Sequence, residues 1–515
     1  MKRRQFIQTG SLVSLPVLLS GMEVTAVTRS SLFNLVDGDD DKVLVLIQLN
    51  GGNDGLNMVI PLDQYSGLNV VRPNLIIPES SVLKLSDKTG LHSKMSGMQA
   101  LFQEGKMAVV QSVGYPDQNR SHFRSTDIWT TASDSDEYLT TGWLGRYLDL
   151  KYPGYPIGYP NEDHKDPFAI TLGTVVSETC QGPGTNFSFT LVNEASVRVI
   201  EETVAAPADS GCYGMELDFI KTSIKQSNDY ATQVLDAFDA GNTLVTYPDS
   251  NLARQLQTVA SLISGGLKTK IYVVSIGGFD THANQVLIGD TENGNHATLL
   301  QTVSDAVNAF MKDLESLGVS ERVMGMTFSE FGRQIRANNS FGTDHGTAAP
   351  LFVFGACTDA KILGENPEIT SEVAPQEGVP MQFDFRSVYA TMLVHWLGAS
   401  EEDVRKVLFN DFTLLPIIKD CSQNTSVADV TNGIDLILSP NPATDRISLT
   451  WESLGTTAHV SVLNATGALV ETIMERTVAK GQHTINLSVG HYPKGSYFIY
   501  LREGNRSKTA KWIKM

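Results

Sequence analysis

The chain has 515 residues, 41% of them hydrophobic and 19% charged, with a formal net charge of −18. This composition supplies a large apolar core, and the length points to two or three domains. The acidic balance argues against nucleic acid or anionic lipid as a partner, since both require a basic face, and no apolar run is long enough for a transmembrane span. The four cysteines, Cys180, Cys212, Cys357 and Cys421, include no CxxC pair, which excludes zinc-ribbon and thioredoxin-type sites. A Cys180–Cys212 disulfide and buried free thiols are both open readings.

Residues 1–26 begin with Lys2, Arg3 and Arg4, continue through an apolar stretch from Ser11 to Leu19, and end on the small residues Thr25 and Ala26. This order of basic, apolar and small segments predicts a cleaved signal peptide. The RRQFI string resembles the twin-arginine signal, which implies export of a protein already folded. Residues 27–41, acidic from Asp37 to Asp41, are expected to be a flexible lead-in.

From residue 42 the pattern changes. Lys42–Leu49 is a nearly continuous apolar run that ends in the polar segment Asn50–Gly55. A run without alternation belongs to a strand buried on both faces, as in a parallel sheet. Similar units follow: Lys106–Val113 before Asn119–Phe123, Lys270–Ile276 before Gly277–His282, and Val323–Phe328 before Ser329–Arg333. Helical periodicity over His122–Thr131, Leu252–Ile263 and His296–Leu317 separates them. Alternating strands and helices predict an α/β domain over residues 42–420, with a mostly parallel sheet flanked by helices.

Open α/β sheets bind ligands at the carboxyl ends of their strands. There the sequence gathers Asn50, Asp54, Ser121, His122, Asp280, His282, Glu330, Asp344 and His345. Carboxylates and imidazoles in company suit a divalent metal, zinc first, with calcium, magnesium or manganese if carboxylates dominate. Asp280 and His282 flank Thr281, so in extended backbone both point the same way. Ser121 precedes a helix, where a hydroxyl serves either as a cap or as a nucleophile beside an anion-binding helix start. Arg120, Arg124 and Arg333 are the basic candidates for holding an oxyanion.

Six motifs, GGNDGLN, NRSHFRSTDIW, TGWLGRYLD, GGFDTHANQ, SEFGR and GTDHGTAAPLFVFG, together resemble the exported family called domain of unknown function 1501. That family is related to sulfatases and alkaline phosphatases, and the resemblance runs from about Lys42 to Asn410. It implies a metal-dependent hydrolase-like protein acting on phosphate or sulfate esters. Asp54, Asp280, His282, Glu330, Asp344 and His345 would be the metal-ligand candidates, and Ser121, His122, Arg120 and Arg333 the catalytic ones. Ser329-Glu330 stands where alkaline phosphatases carry an Asp-His pair, and the Cys/Ser-x-Pro-x-Arg signal of sulfatases is absent. A non-catalytic surface protein with a degenerate site is the competing expectation.

After a linker expected at residues 421–432, residues 433–515 carry nine Lys/Arg against six Asp/Glu, reversing the sign of the charge. Short alternating segments at Ile447–Trp451, His459–Leu463, Leu469–Met474, His483–Leu487 and Ser496–Leu501 predict a small all-β sandwich. SPNPATDRISL and KGSYFIYLREGNRSKTAKWIKM resemble the C-terminal sorting domain of the type IX secretion system of Bacteroidetes. The resemblance implies export through the periplasm to the cell surface or medium, with the secretion machinery as partner, while the anionic ester expected as substrate follows from the resemblance of the central domain.

Overall fold

The computed structural model describes residues 41–193, 197, 212–419, 436–464, 469–503 and 506–514. The segments expected to be a signal peptide, a lead-in up to residue 40 and a linker lie outside the described residues. The chain divides into two compact units after residue 420.

The first unit is built on a nine-stranded sheet. Its strands are β1 (Val43–Leu49), β2 (Met107–Gly114), β3 (Ala169–Leu172), β4 (Ser188–Leu191), β5 (Ile271–Ile276), β6 (Val323–Phe328), β7 (Ala349–Gly355), β8 (Ile362–Leu363) and β9 (Phe383–Asp384). They are ordered β8-β2-β7-β6-β1-β5-β3-β4, with β9 also on β2. Every pairing is parallel except those of β7, which runs antiparallel to both β2 and β6. The α/β class expected from the sequence is the one observed.

Central burial explains the uninterrupted apolar runs. Val43, Leu44, Val45, Leu46 and Ile47 are all buried, so neither face of β1 meets water. Helices α1 (His122–Thr131), α2 (Asn251–Ser264) and α3 (Asn295–Ser316) lie near their expected bounds. Leu252, Leu256, Val259 and Ile263 of α2 recur at helical spacing and share one core with Leu300, Val303, Val307 and Phe310 of α3. A second apolar cluster stacks Trp129 of α1 on Phe385 at 4.5 Å, and Trp143 on Tyr389 at 4.1 Å.

Because β1, β2, β5 and β6 are mutually parallel, the segments after them emerge at one edge of the sheet. The reversed β7 brings residues 343–348 to that same edge from the other direction. Strands β3 and β4 are additional to those expected from the sequence, since four-residue segments give too short a pattern.

Cys180 is buried as a free thiol, with burial pushing its ionisation up to about 12, and Cys357 is disulfide-bonded. Of the two open readings, the buried thiol describes Cys180.

The second unit contains two antiparallel sheets. One orders strands 437–439, 446–454 and 480–488; the other orders 469–477, 457–464, 495–503 and 506–514. Ile447, Leu449 and Trp451 from the first share a core with Val460, Val462, Ile499 and Trp512 from the second. All five expected strands are present, and those at 437–439 and 506–514 are additional.

The buried start of α3 generates a pH prediction. His296 Nε2 donates to Asn53 Oδ1 at 2.9 Å, and burial, reinforced by Arg333 and Arg72 against the opposing pull of Asp54, lowers the imidazole to about 4. The unfolded chain therefore takes up this proton first as pH falls. His296's contribution is fully present above 6.5 and is lost as pH drops towards 4, by about 3 kcal/mol in all. Denaturant titration across this range measures the loss, and His296→Gln, which keeps a donor for Asn53, flattens the profile.

Candidate metal centre

The turn after β1 sets the floor of the site. Gly51 has a φ of +122°, and a Cβ there would come within 2.3 Å of the Asp280 nitrogen, so only glycine lets the two loops touch. Gly51 N–H donates to Glu330 Oε1 at 2.9 Å, tying the β1 turn to the segment after β6.

Arg333 holds these loops together. Its guanidinium donates to the carbonyls of Gly51, Gly52 (2.6 Å), Phe279 (3.0 Å) and Thr343 (2.9 Å), and to Asp280 Oδ1 (2.7 Å). Its side chain is fully buried.

Around Asp280 the imidazoles converge. Asp280 Oδ1 lies 3.1 Å from His282 Nε2, 3.3 Å from His345 Nε2 and 3.6 Å from His122 Nε2. Ligating atoms of His122, Asp280 and His345 fall within 4.8 Å of one another. His282 Nε2 is 2.9 Å from His345 Nε2.

Each ring is oriented through its other nitrogen. His122 Nδ1 donates to Glu330 Oε1 at 2.7 Å, His282 Nδ1 to Asp344 Oδ1 at 2.7 Å, and His345 Nδ1 to the Arg120 carbonyl at 2.9 Å. The carboxylates and the carbonyl can only accept, so the Nδ1 atoms carry protons, and each ring in its neutral form presents its Nε2 lone pair inward. Burial, with Arg333 adding to it, outweighs the hydrogen bonds to the Arg120 carbonyl and Asp280 and keeps His345 below its ordinary value. Partial burial pushes Asp280 up, but the hydrogen bond and charge of Arg333, with His282 and His345, hold it below the usual carboxylate range.

Two facing lone pairs at 2.9 Å repel unless a cation or proton lies between them. The buried His122 Nε2 has no hydrogen-bond partner. Three imidazole nitrogens, each backed by an acceptor, and one carboxylate oxygen form a donor set that fits zinc.

The arrangement redistributes the expected roles. Asp280, His282 and His345 come together as expected. His122, expected to be catalytic, joins them, while Glu330 and Asp344 stand behind His122 and His282 as acceptors. Asp54 is a correction, because its carboxylate is fully buried and bound by Arg72 Nη1 at 2.9 and 3.0 Å. Burial alone would raise Asp54; Arg72, followed by His296 and Gln285, outweighs it and keeps the carboxyl below the ordinary range.

Arg333, with its donors committed to the loops, is not available to grip an oxyanion. Arg124 is likewise engaged, by Asp127 and the carbonyls of Asp134, Ser135 and Glu137. Arg120 Nη1 donates to the Gln376 carbonyl. Ser121 is exposed at the start of α1 and makes no capping bond through its side chain, while the Ser125 hydroxyl is taken by Tyr115 and the Glu330 carbonyl. A cleft of about 800 Å³ adjoins the centre, lined by His122, Phe123, Asp280 and Glu330 together with Thr126 and Thr171. Sequence reasoning passed over Gln285, although it closes the GGFDTHANQ motif.

Residues 259–405 match the family model described as protein of unknown function (DUF1501). The resemblance read from the motifs holds. The match takes in the last three motifs, and the first three lie ahead of it. Residues 438–515 match the secretion system C-terminal sorting domain. No curated protein matches the chain.

Among solved structures, PorZ, a surface component of the type IX secretion system of Porphyromonas gingivalis, is 14% identical with a TM-score of 0.13. It covers 19% of this chain, which spans 13% of PorZ. The lipoteichoic acid synthase LtaP of Listeria monocytogenes is 10% identical, with a TM-score of 0.32 over 72% of this chain and 75% of its own. A protein of the alkaline phosphatase superfamily from Vibrio parahaemolyticus is 10% identical, with a TM-score of 0.31 over 79% and 75%. Scores of this size carry no argument about what the chain does.

The Asp54–Arg72 pair can be tested by truncation. Asp54→Ala leaves a buried guanidinium without its counter-charge and costs about 3–5 kcal/mol in denaturant titration, measured on metal-free protein.

Proposed function

We propose that the first unit is a divalent-metal hydrolase, zinc being the favoured ion, and that it acts on phosphate or sulfate esters outside the cytoplasm. The supporting observation is the convergence of three oriented Nε2 atoms on Asp280. In this reading His122, His282, His345 and Asp280 hold the ion, and Glu330, Asp344 and the Arg120 carbonyl fix the rings. A bound zinc supplies a Lewis acid for the ester oxygen and lowers the pKa of a hydroxyl or water beside it.

The chain's own groups provide the remaining functions. Ser121, whose hydroxyl is not spent on capping, is the nucleophile in this reading. The adjoining cleft receives the alcohol portion of the ester. With Arg124 and Arg333 committed elsewhere, the metal bears most of the substrate's negative charge. The sorting-domain match supports delivery to the cell surface or medium by the type IX machinery, and the basic-apolar-small pattern of residues 1–26 is read as the signal for the first membrane.

Purified full chain is expected to take up about one zinc per molecule, and His122→Ala and His345→Ala each to weaken uptake at least about 100-fold. Elemental analysis with chelator competition reads this, and wild-type protein that retains no divalent metal overturns the reading. Turnover of aryl phosphates or sulfates should follow metal content and disappear in Ser121→Ala at unchanged metal content. A Ser121→Ala variant of full activity removes the serine from the proposal.

A further inference from the structure

Besides Arg333, a second side chain joins, from behind the site, the two loops that carry the converging ligands. Gln285 is fully buried, and its Oε1 accepts from Thr281 Oγ1 at 3.0 Å and from Thr343 Oγ1 at 2.7 Å. Thr281 stands between Asp280 and His282, and Thr343 directly precedes Asp344-His345. On the opposite side Gln285 Nε2 donates to Asp54 Oδ2 at 2.6 Å. The Asp54 carboxylate can only accept, so the amide is fixed in this orientation, with its oxygen facing the threonines.

The anchor behind the amide is rigid. Arg72, itself fully buried, grips Asp54 and also donates to the carbonyls of Ile335 (2.8 Å) and Gln334 (2.8 Å). Backbone bonds run alongside: Gln285 N–H to the Phe341 carbonyl at 2.9 Å and Thr343 N–H to the Thr281 carbonyl at 3.1 Å. The side chains sort by face, since Thr281 is buried while Asp280 and His282, its neighbours on either side, are partly exposed. The threonines therefore register the loops from the core side while their neighbours meet on the outer side.

We infer that Gln285 is a positioning residue which, through Thr281 and Thr343, sets the spacing between the 280–282 and 344–345 ligand segments. The inference rests on the metal reading above. Asp54 thereby serves the site from two hydrogen bonds behind the threonine-bearing loops, as the fixed acceptor that orients the amide.

The test uses Thr281→Val and Thr343→Val, singly and together, in the full chain. Each substitution keeps the side-chain shape and replaces the hydroxyl by a methyl, which removes the bond to Gln285. Zinc affinity is measured against a chromophoric chelator, and amide exchange across residues 279–285 and 341–346 is measured on metal-free protein.

The double variant is expected to bind zinc about 10–100-fold more weakly, with Thr343→Ser restoring most of the single-site loss. Exchange in both loops should accelerate together by about tenfold, while exchange in β1 and β6 stays at the wild-type rate. Zinc affinity within twofold of wild type, with His345→Ala losing it, overturns the inference. If wild-type protein takes up no zinc, the metal reading falls, and the clamp is decided by exchange alone. Unchanged exchange in either loop then overturns it as well.

Discussion

One buried guanidinium organises the functional edge of this sheet. Arg333 reaches the turn after β1, the loop after β5 and the segment before β7, and bonds a carbonyl in each. Peptide groups in such loops cannot pair within a ladder, and burying them without partners costs about 1–3 kcal/mol apiece. A planar, permanently charged group with five donors satisfies several at once, and its own charge is met by Asp280. Electrostatics and loop architecture are therefore the same problem here, solved by one residue.

The surrounding layers repeat this logic with other chemistry. Asp54 and Arg72 neutralise each other where no water reaches. Glu330, almost fully buried, spends one oxygen on a backbone N–H and on His122, so its carboxylate is held by hydrogen bonds in place of solvent. Around the centre the acceptors stand behind the rings and the lone pairs stand in front. Such polarity is difficult to maintain in an interior unless every outward-facing proton has a partner.

Much of this is legible in the sequence, for identifiable reasons. Apolar runs such as Val43–Leu49 mark doubly buried strands, and the polar residues after them mark the ligand edge, so Asp280 and His282 are placed there by pattern, while His345, which precedes its strand, is placed by the family resemblance. Periodicity and punctuation likewise locate the strands of the second unit. Roles are harder to read. Asp54 and Asp280 each follow a central strand, and only the fold shows that Arg72 claims the first. Arg333 reads in sequence as a group for holding an oxyanion, because nothing local records which carbonyls will need it. His122 and Ser121 are adjacent, yet one turns inward and the other stays exposed, a distinction set by where α1 begins.

The reversed strand β7 carries a consequence for the order of events in the life of the chain. His345 lies just ahead of β7, whose antiparallel pairing with β2 joins segments distant in sequence. Such contacts are slow to form, because loop-closure entropy is lost before they reward it. A half-folded chain presents His122 or the Asp280 loop singly, and scattered single donors hold a metal poorly. Ion retention at this edge would thus report whether the sheet has closed, an internal certificate of completed folding.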